Sequence, residues 1–283
     1  MEIVVGRHAG FCFGVKRATR LAFETAEREG RGATLGPIIH SPQVVRELEE
    51  KGVRVVDSLD QVTDETVILR SHGVTASELN WAKERGLKVV DATCPFVRKA
   101  QEHVASLSRE GYGVVVVGET DHPEVRGIVS YGSSDLHVVS TPEEAERIPR
   151  MKRTGIVAQT TQTHETFLSI VSVMVRRSYE TRVFNTICDA TKVRQDEAKE
   201  LARTSDCMIV VGGFESGNTR RLAQICGEIC PNTHHIESVD QLDPEWFRGC
   251  SRVGVTAGAS TPGWVIDEVV DALKIVDKSR EKG

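Results

Sequence analysis

Gly10-Phe11-Cys12-Phe13-Gly14-Val15-Lys16, Asp91-Ala92-Thr93-Cys94-Pro95-Phe96 and Asn185-Thr186-Ile187-Cys188-Asp189-Ala190-Thr191 each place a lone cysteine where an apolar run gives way to a helical pattern. Twenty-eight residues beyond each cysteine the chain reaches a loop of one build: LGPIIHSPQV around His40, VVGETDHPEV around His122 and VVGGFESGNT around Ser216. Each third then offers a further strand ending in small polar residues: VILRSHGVT with His72, GIVAQTTQT with Thr160 and VGVTAGAST with Ser260. Matched features at equal spacing mark an internal repeat. The chain therefore reads as three α/β units, residues 1–94, 95–188 and 189–283, with one in-register thiol apiece.

Short β-branched runs carry the fold class. Ile3–Gly6, Val67–Leu69, Leu87–Val90, Val114–Val117, Ile156–Ala158, Met208–Val211 and Val253–Thr256 alternate with helical patterns, which predicts small parallel sheets covered on both faces. After Cys12 a helix is expected from Val15 to about Glu29, with Val15, Ala18, Leu21, Ala22 and Ala26 on one stripe. No Gly/Ser/Pro-rich linker separates the thirds, which argues for tight packing rather than tethered motion. In parallel sheets ligands bind beyond the carboxyl ends of strands. A pseudo-threefold axis would turn all three sets of strand ends to one cavity; a linear stack of repeats is the alternative.

With 283 residues, 39% hydrophobic and 27% charged, the composition is that of an ordinary globular protein. A net charge of −5 gives no support to a nucleic-acid or membrane-surface role. The chain opens directly into a strand without a basic and apolar leader, so a cytoplasmic location is expected. Seven cysteines in a chain of this length favour metal binding or catalysis over disulfide staples. Cys207, Cys226, Cys230 and Cys250 fall outside the repeat register; Cys207 reads as a core residue, and Cys226 and Cys230 as a half-buried pair on one helix face.

A helix N-terminus stabilises a thiolate, the form that binds metal. Structural zinc sites pair cysteines two to four residues apart, and Cys12, Cys94 and Cys188 have no such neighbours. Three lone thiolates suit an iron–sulfur cubane, which leaves one iron without a protein ligand and able to act as a Lewis acid. His40, His72 and His122 follow strands in short polar loops, where imidazole can donate to phosphate oxygens. Ser216 and Asn218 precede a helix in a glycine-rich turn, and Ser260 does so in AGASTP, the way proteins seat phosphate; helix capping is the plainer reading of each. Glu124, two residues after His122, would carry a raised pKa beside an anion site and a cluster, and so hold a proton at neutral pH. His8, His103, His137, His164, His234 and His235 lie off the register and are read as surface or capping imidazoles. Lys16, Arg17, Arg98, Lys99, Lys192 and Arg194 read as solvated helix faces, with an acidic redox partner's docking surface as the alternative.

GFCFGVKRA, GPIIHSPQVV, RSHGV, DATCPFV, HPEV, AQTT and the stretch Ser216-Gly217-Asn218-Thr219-Arg220-Arg221-Leu222 occur in the order found in the 4-hydroxy-3-methylbut-2-enyl diphosphate reductase family, and the chain resembles that family from Gly10 to about Val265. The resemblance implies three α/β thirds in a trefoil-like arrangement around one [4Fe-4S] cluster per chain, held by Cys12, Cys94 and Cys188. It implies that His40, His72, His122, Ser216, Asn218 and Ser260 bind the diphosphate, that Thr160 sits by the substrate hydroxyl, and that Glu124 supplies protons. Isopentenyl and dimethylallyl diphosphate would be the products of this last step of the methylerythritol phosphate route, with a reduced ferredoxin or flavodoxin-type protein as electron donor. Many members carry two serines before the asparagine; here Gly217 stands second and offers only its backbone N–H. A non-redox hydratase, an iron–sulfur sensor and a nucleotide-binding α/β protein are the competing readings. The last lacks a G-x-x-x-x-G-K-[ST] loop.

Overall fold

The computed structural model describes residues 1–63 and 65–280. In chain order the first third runs β1 (Glu2–Val5), α1 (Phe13–Glu29), β2 (Gly32–Leu35), α2 (Pro42–Glu50), β3 (Val53–Val56), β4 (Thr66–Leu69), α3 (Ala76–Glu84) and β5 (Lys88–Asp91). The second runs α4 (Pro95–Arg109), β6 (Gly113–Val117), α5 (Pro123–Val129), β7 (Leu136–Val139), α6 (Pro142–Arg147), β8 (Met151–Ala158), α7 (His164–Arg177) and β9 (Ser178–Val183). The third runs α8 (Asp189–Arg203), β10 (Cys207–Val211), α9 (Gly217–Ile229), β11 (Thr233–Ile236), β12 (Arg252–Ala257) and α10 (Gly263–Arg280).

These strands form three four-stranded, all-parallel sheets, ordered β3-β2-β4-β5, β7-β6-β8-β9 and β11-β10-β12-β1. The order is the same in all three. Each strand after a cysteine helix lies second, and the strand leading to a cysteine closes the far edge. The divisions at 94/95 and 188/189 fall between such an edge strand and the next helix. The edge strand of the last sheet is β1, from the start of the chain.

The chain forms two compact units. Residues Met1–Val15, His40–Val44 and Asp189–Gly283 make one; Lys16–Ile39 and Val45–Cys188 make the other. In the first, Ile209, Val211, Val253 and Val255 pack one sheet face on Val265, Val269 and Leu273 of α10. The opposite face packs Met208 and Val210 on Ala198 and Leu201 of α8 and Leu222 of α9. In the second unit the run Val114–Val117 is buried on both faces. Val115, Val117 and Ile156 meet Phe167, Ile170 and Met174 of α7, while Val114, Val116 and Val157 meet Val104 and Leu107 of α4. Two-sided burial is what a continuous β-branched run dictates. The β2–β5 sheet of that unit buries Ala33, Leu35, Val56 and Leu69 together with Val74.

Candidate functional site

All three in-register cysteines lie outside any disulfide and are partly exposed, whereas Cys207, Cys226, Cys230 and Cys250 are buried. Burial pushes the thiols of Cys207 and Cys226 up to about 12, which keeps them protonated and inert. Cys12 stands just before α1, and the backbone N–H of Val15 in the first turn donates to its Sγ at 3.5 Å. Cys94 is the N-cap of α4, with Pro95 at the first helical position. Cys188 immediately precedes α8.

Each cysteine is tied to the neighbouring strand by the same bond. The N–H of Cys12 donates to Ala259 O at 3.2 Å, that of Cys94 to Ser71 O at 2.9 Å, and that of Cys188 to Thr160 O at 3.1 Å. In every case the acceptor lies two residues beyond the end of β12, β4 or β8. One sheet topology thus presents each thiol in one way. Partly exposed thiols outside any disulfide, each at a helix start, are a donor set that suits iron–sulfur ligation. Among the described residues no group of three or more His, Cys, Asp or Glu is arranged to hold a metal ion.

In the second unit His122 is the N-cap of α5, its Nδ1 accepting from the N–H of Glu124 at 3.1 Å. That assigns the proton of the neutral ring to Nε2, a donor for an anion. The rings of His72 and His122 meet edge to face with centroids 5.8 Å apart. Glu124 is only 2% exposed. Its Oε1 accepts from Thr160 N at 2.6 Å and its Oε2 from Thr160 Oγ1 at 2.9 Å. Burial raises the Glu124 carboxyl to about 7, against the two Thr160 bonds that act to lower it. The direction agrees with the sequence-based expectation, and desolvation is its leading cause within the protein.

In the first unit Ser216 caps α9, accepting from Thr219 N at 3.3 Å, so the capping reading holds for this hydroxyl. Ser260 Oγ donates to His40 O at 3.1 Å and lies 3.4 Å from Ser216 Oγ. The loop after β12 is drawn onto the end of β10 by Gly258 N and Thr261 Oγ1, both donating to Val211 O at 2.9 Å. Gly213 permits the close approach: a Cβ there would stand 2.6 Å from His40 O. Gly217 and Asn218 open α9. The Asn218 side chain is buried, and neither Oδ1 nor Nδ2 has a hydrogen-bond partner in the protein. A buried amide with no partner is rare and costly unless a ligand completes it. The sheet thus gathers His40, Ser216, Asn218 and Ser260 at its carboxyl end, beside a helix start suited to an anion.

Two of the six basic residues depart from the solvated-face reading. Arg194 is buried, and its Nη2 donates to Gly10 O at 2.6 Å, two residues before Cys12. Arg17 is half-buried and bonds Thr93 O at 3.2 Å and Asp91 O at 3.1 Å, just before Cys94. Both guanidiniums pin cysteine loops through carbonyls. Lys16, Arg98, Lys99 and Lys192 are exposed as expected. Of the off-register histidines, His234 stacks on Trp246 at 3.8 Å and His235 bonds Gly212 O at 2.8 Å. Sequence reasoning also passed over Gln159, fully buried, whose Oε1 accepts from Glu119 N at 3.0 Å and whose Nε2 has no partner in the protein.

No helix among the described residues is long and apolar enough to cross a membrane. The LytB protein family profile matches residues 3–274. The chain is 61% identical to the 4-hydroxy-3-methylbut-2-enyl diphosphate reductase of Geobacter sulfurreducens, over 99% of this chain and all of that one. It is similar to a solved (E)-4-hydroxy-3-methyl-but-2-enyl diphosphate reductase, described as the terminal enzyme of the non-mevalonate pathway. That likeness has TM-score 0.70 and 47% identity, over 97% of this chain and 99% of the other. A reductase structure from Plasmodium falciparum superposes with TM-score 0.90 at 26% identity, over 96% of this chain and 87% of that one. With the profile and these relatives aligned along nearly its whole length, the chain belongs to the LytB protein family.

Proposed function

We infer that this chain is a 4-hydroxy-3-methylbut-2-enyl diphosphate reductase, removing the allylic hydroxyl of that substrate to give isopentenyl and dimethylallyl diphosphate. The observation that carries the chemistry is the chain of direct bonds from the buried Glu124 carboxyl through Thr160 to Cys188. An acid, a hydroxyl and a candidate cluster ligand are thereby held in fixed relation. The family-wide likeness supports the same reading.

Cys12, Cys94 and Cys188 would hold a [4Fe-4S] cluster, which when bound supplies a Lewis-acidic iron without a protein ligand and passes electrons singly. Glu124, protonated near neutrality, is the proton store for the departing hydroxyl and the allylic carbon, with Thr160 Oγ1 as its hydrogen-bonded contact. His40, His72, His122, Ser216, Asn218, Ser260 and the backbone N–H of Gly217 would bind the diphosphate, whose remote binding energy positions the reacting end. The common strand order of the three sheets supports treating 1–94, 95–188 and 189–283 as copies of one unit. A reduced ferredoxin or flavodoxin-type protein is the proposed donor, and the cytoplasm the proposed location.

Anaerobic turnover of the hydroxylated diphosphate, with and without a one-electron reductant, tests the reading. Reductant-dependent formation of the two dehydroxylated diphosphates is expected. Hydration products formed without reductant would point to a hydratase instead.

A further inference from the structure

We propose that Arg17 is a positioning residue for the iron–sulfur site: its guanidinium fixes the turn that presents Cys94 and leaves beside that turn a positive charge that favours uptake of an electron. The inference rests on the cluster reading given above and concerns a residue outside the ligand set.

Sheet topology explains why the turn needs such a group. β5 is an edge strand, with β4 on one side only. Beyond its end Ala92 N donates to Leu69 O at 3.1 Å and Cys94 N to Ser71 O at 2.9 Å, so these two residues turn their backbone toward β4. By strand alternation Asp91 and Thr93 turn theirs to the open edge, where no neighbouring strand can satisfy them. The Thr93 N–H is met by Asp91 Oδ1 at 2.9 Å. The two carbonyls fall to Arg17, on the second turn of α1: Nη2 donates to Asp91 O at 3.1 Å and Nη1 to Thr93 O at 3.2 Å. One rigid plane thus holds two carbonyls at once, which a lysine ammonium without a fixed fork does not reproduce. Thr93 O belongs to the peptide that joins Thr93 to Cys94, so the chain entering the cysteine is gripped from both sides.

The charge is the second part of the role. Both bonds of Arg17 go to neutral carbonyls, and among the described residues no carboxylate forms an ion pair with it. The carboxylate in the turn, Asp91, is taken up by Arg98 Nη2. Arg17 is half-buried while Lys16 and Arg20 on the same helix are exposed, so solvent screens it less than either. Reduction adds one electron, and so one negative charge, to a cluster already carrying three thiolates. A poorly screened cation beside a ligand loop stabilises that added charge, and local charge is one of the settings of a cluster's reduction potential. Arg194 repeats the arrangement at β1, the edge strand of the last sheet, where its Nη2 donates to Gly10 O at 2.6 Å ahead of Cys12.

Anaerobic spectroelectrochemical titration of the iron-loaded full chain tests the charge, and iron release to a chelator tests the positioning. In Arg17→Gln the ratio of reduced to oxidised cluster at a fixed potential should fall about tenfold, or about 59 mV for a one-electron step, and iron release should quicken. Arg17→Lys keeps the charge and loses the fork. Its ratio should stay within about twofold of wild type while iron release still quickens. Lys99→Gln, which removes an exposed charge from α4, should change neither quantity. An Arg17→Gln protein that titrates as wild type does overturns the proposal. An equal fall in both Arg17 variants, or failure of Arg17→Lys to load iron, overturns the charge role and leaves Arg17 a part of the fold. Iron release at the wild-type rate from both overturns the positioning role. A wild-type chain that binds no cluster defeats the three-cysteine reading instead, an outcome distinct from all of these.

Discussion

The Glu124 carboxylate is gripped twice by Thr160, at 2.6 Å from its N–H and 2.9 Å from its hydroxyl, while Thr160 O accepts from Cys188 N at 3.1 Å. Without those donors a carboxyl this buried would titrate higher still, since both bonds favour the charged form. The pair thus sets the acid near neutrality and fixes its direction, the two requirements for a proton donor at physiological pH.

Glu124→Gln should bind substrate yet turn over about 10²- to 10⁴-fold more slowly, the usual worth of a general acid. Wild-type kcat should fall as pH rises through about 7, where Glu124 loses its proton, and the variant should lack that limb. Steady-state kinetics across pH reads both. A near-wild-type rate would remove Glu124 as the proton source.

The same carboxyl has a stability signature. Its folded pKa, about 7, lies above the ordinary 4.5, so the folded state holds the proton more tightly. The stability conferred by the protonated form is complete below about 4.5 and is lost as pH rises through about 7. Denaturant titrations should therefore show wild type declining relative to Glu124→Gln across that window. Thr160→Val, which deletes one bond that lowers the pKa, should move the decline to higher pH. Parallel wild-type and Glu124→Gln profiles would contradict the assignment.

Asn218 separates binding from folding. Its amide has no protein partner, so Asn218→Ala should change the substrate-free stability by no more than about 1 kcal/mol. Loss of a hydrogen bond to a charged ligand costs about 1.5–3 kcal/mol, so affinity for the diphosphate should fall roughly 10- to 150-fold. Calorimetric titration and a thermal melt measure the two quantities. Unchanged affinity would take Asn218 out of the anion site.

Much of this was legible in the chain because repetition is visible without coordinates. The common cysteine spacing located three strand-to-helix turns, and the valine run of β6 announced a sheet buried on both faces. Other features depend on contacts that no local pattern encodes. The membership of β1 in the last sheet joins residues some 250 apart in sequence, so a left-to-right reading assigns it to the first third. Arg194 reads as one more charged residue on a helix, because nothing nearby reveals that Gly10 O will meet it in the core. Gln159 is similarly silent: a glutamine beside Thr160 carries no signal until burial deprives its Nε2 of water.

The thiols should divide into two groups by iron content. Cys12→Ser, Cys94→Ser and Cys188→Ser should each lose the visible absorbance expected of a bound iron–sulfur cluster, or most activity. Cys226→Ser should keep both, at a stability cost of about 1–3 kcal/mol for burying a hydroxyl. Iron and sulfide analysis of anaerobically prepared protein distinguishes the groups. Equal losses in all four would undo the division that exposure and register support.

Mössbauer spectroscopy of iron-57-enriched wild type, recorded with and without the hydroxylated diphosphate, bears most directly on the three-thiolate reading. One iron in four should be distinct from the rest, and only that component should change when substrate is added. Four equivalent irons indifferent to substrate, or no cubane signal at all, would contradict it.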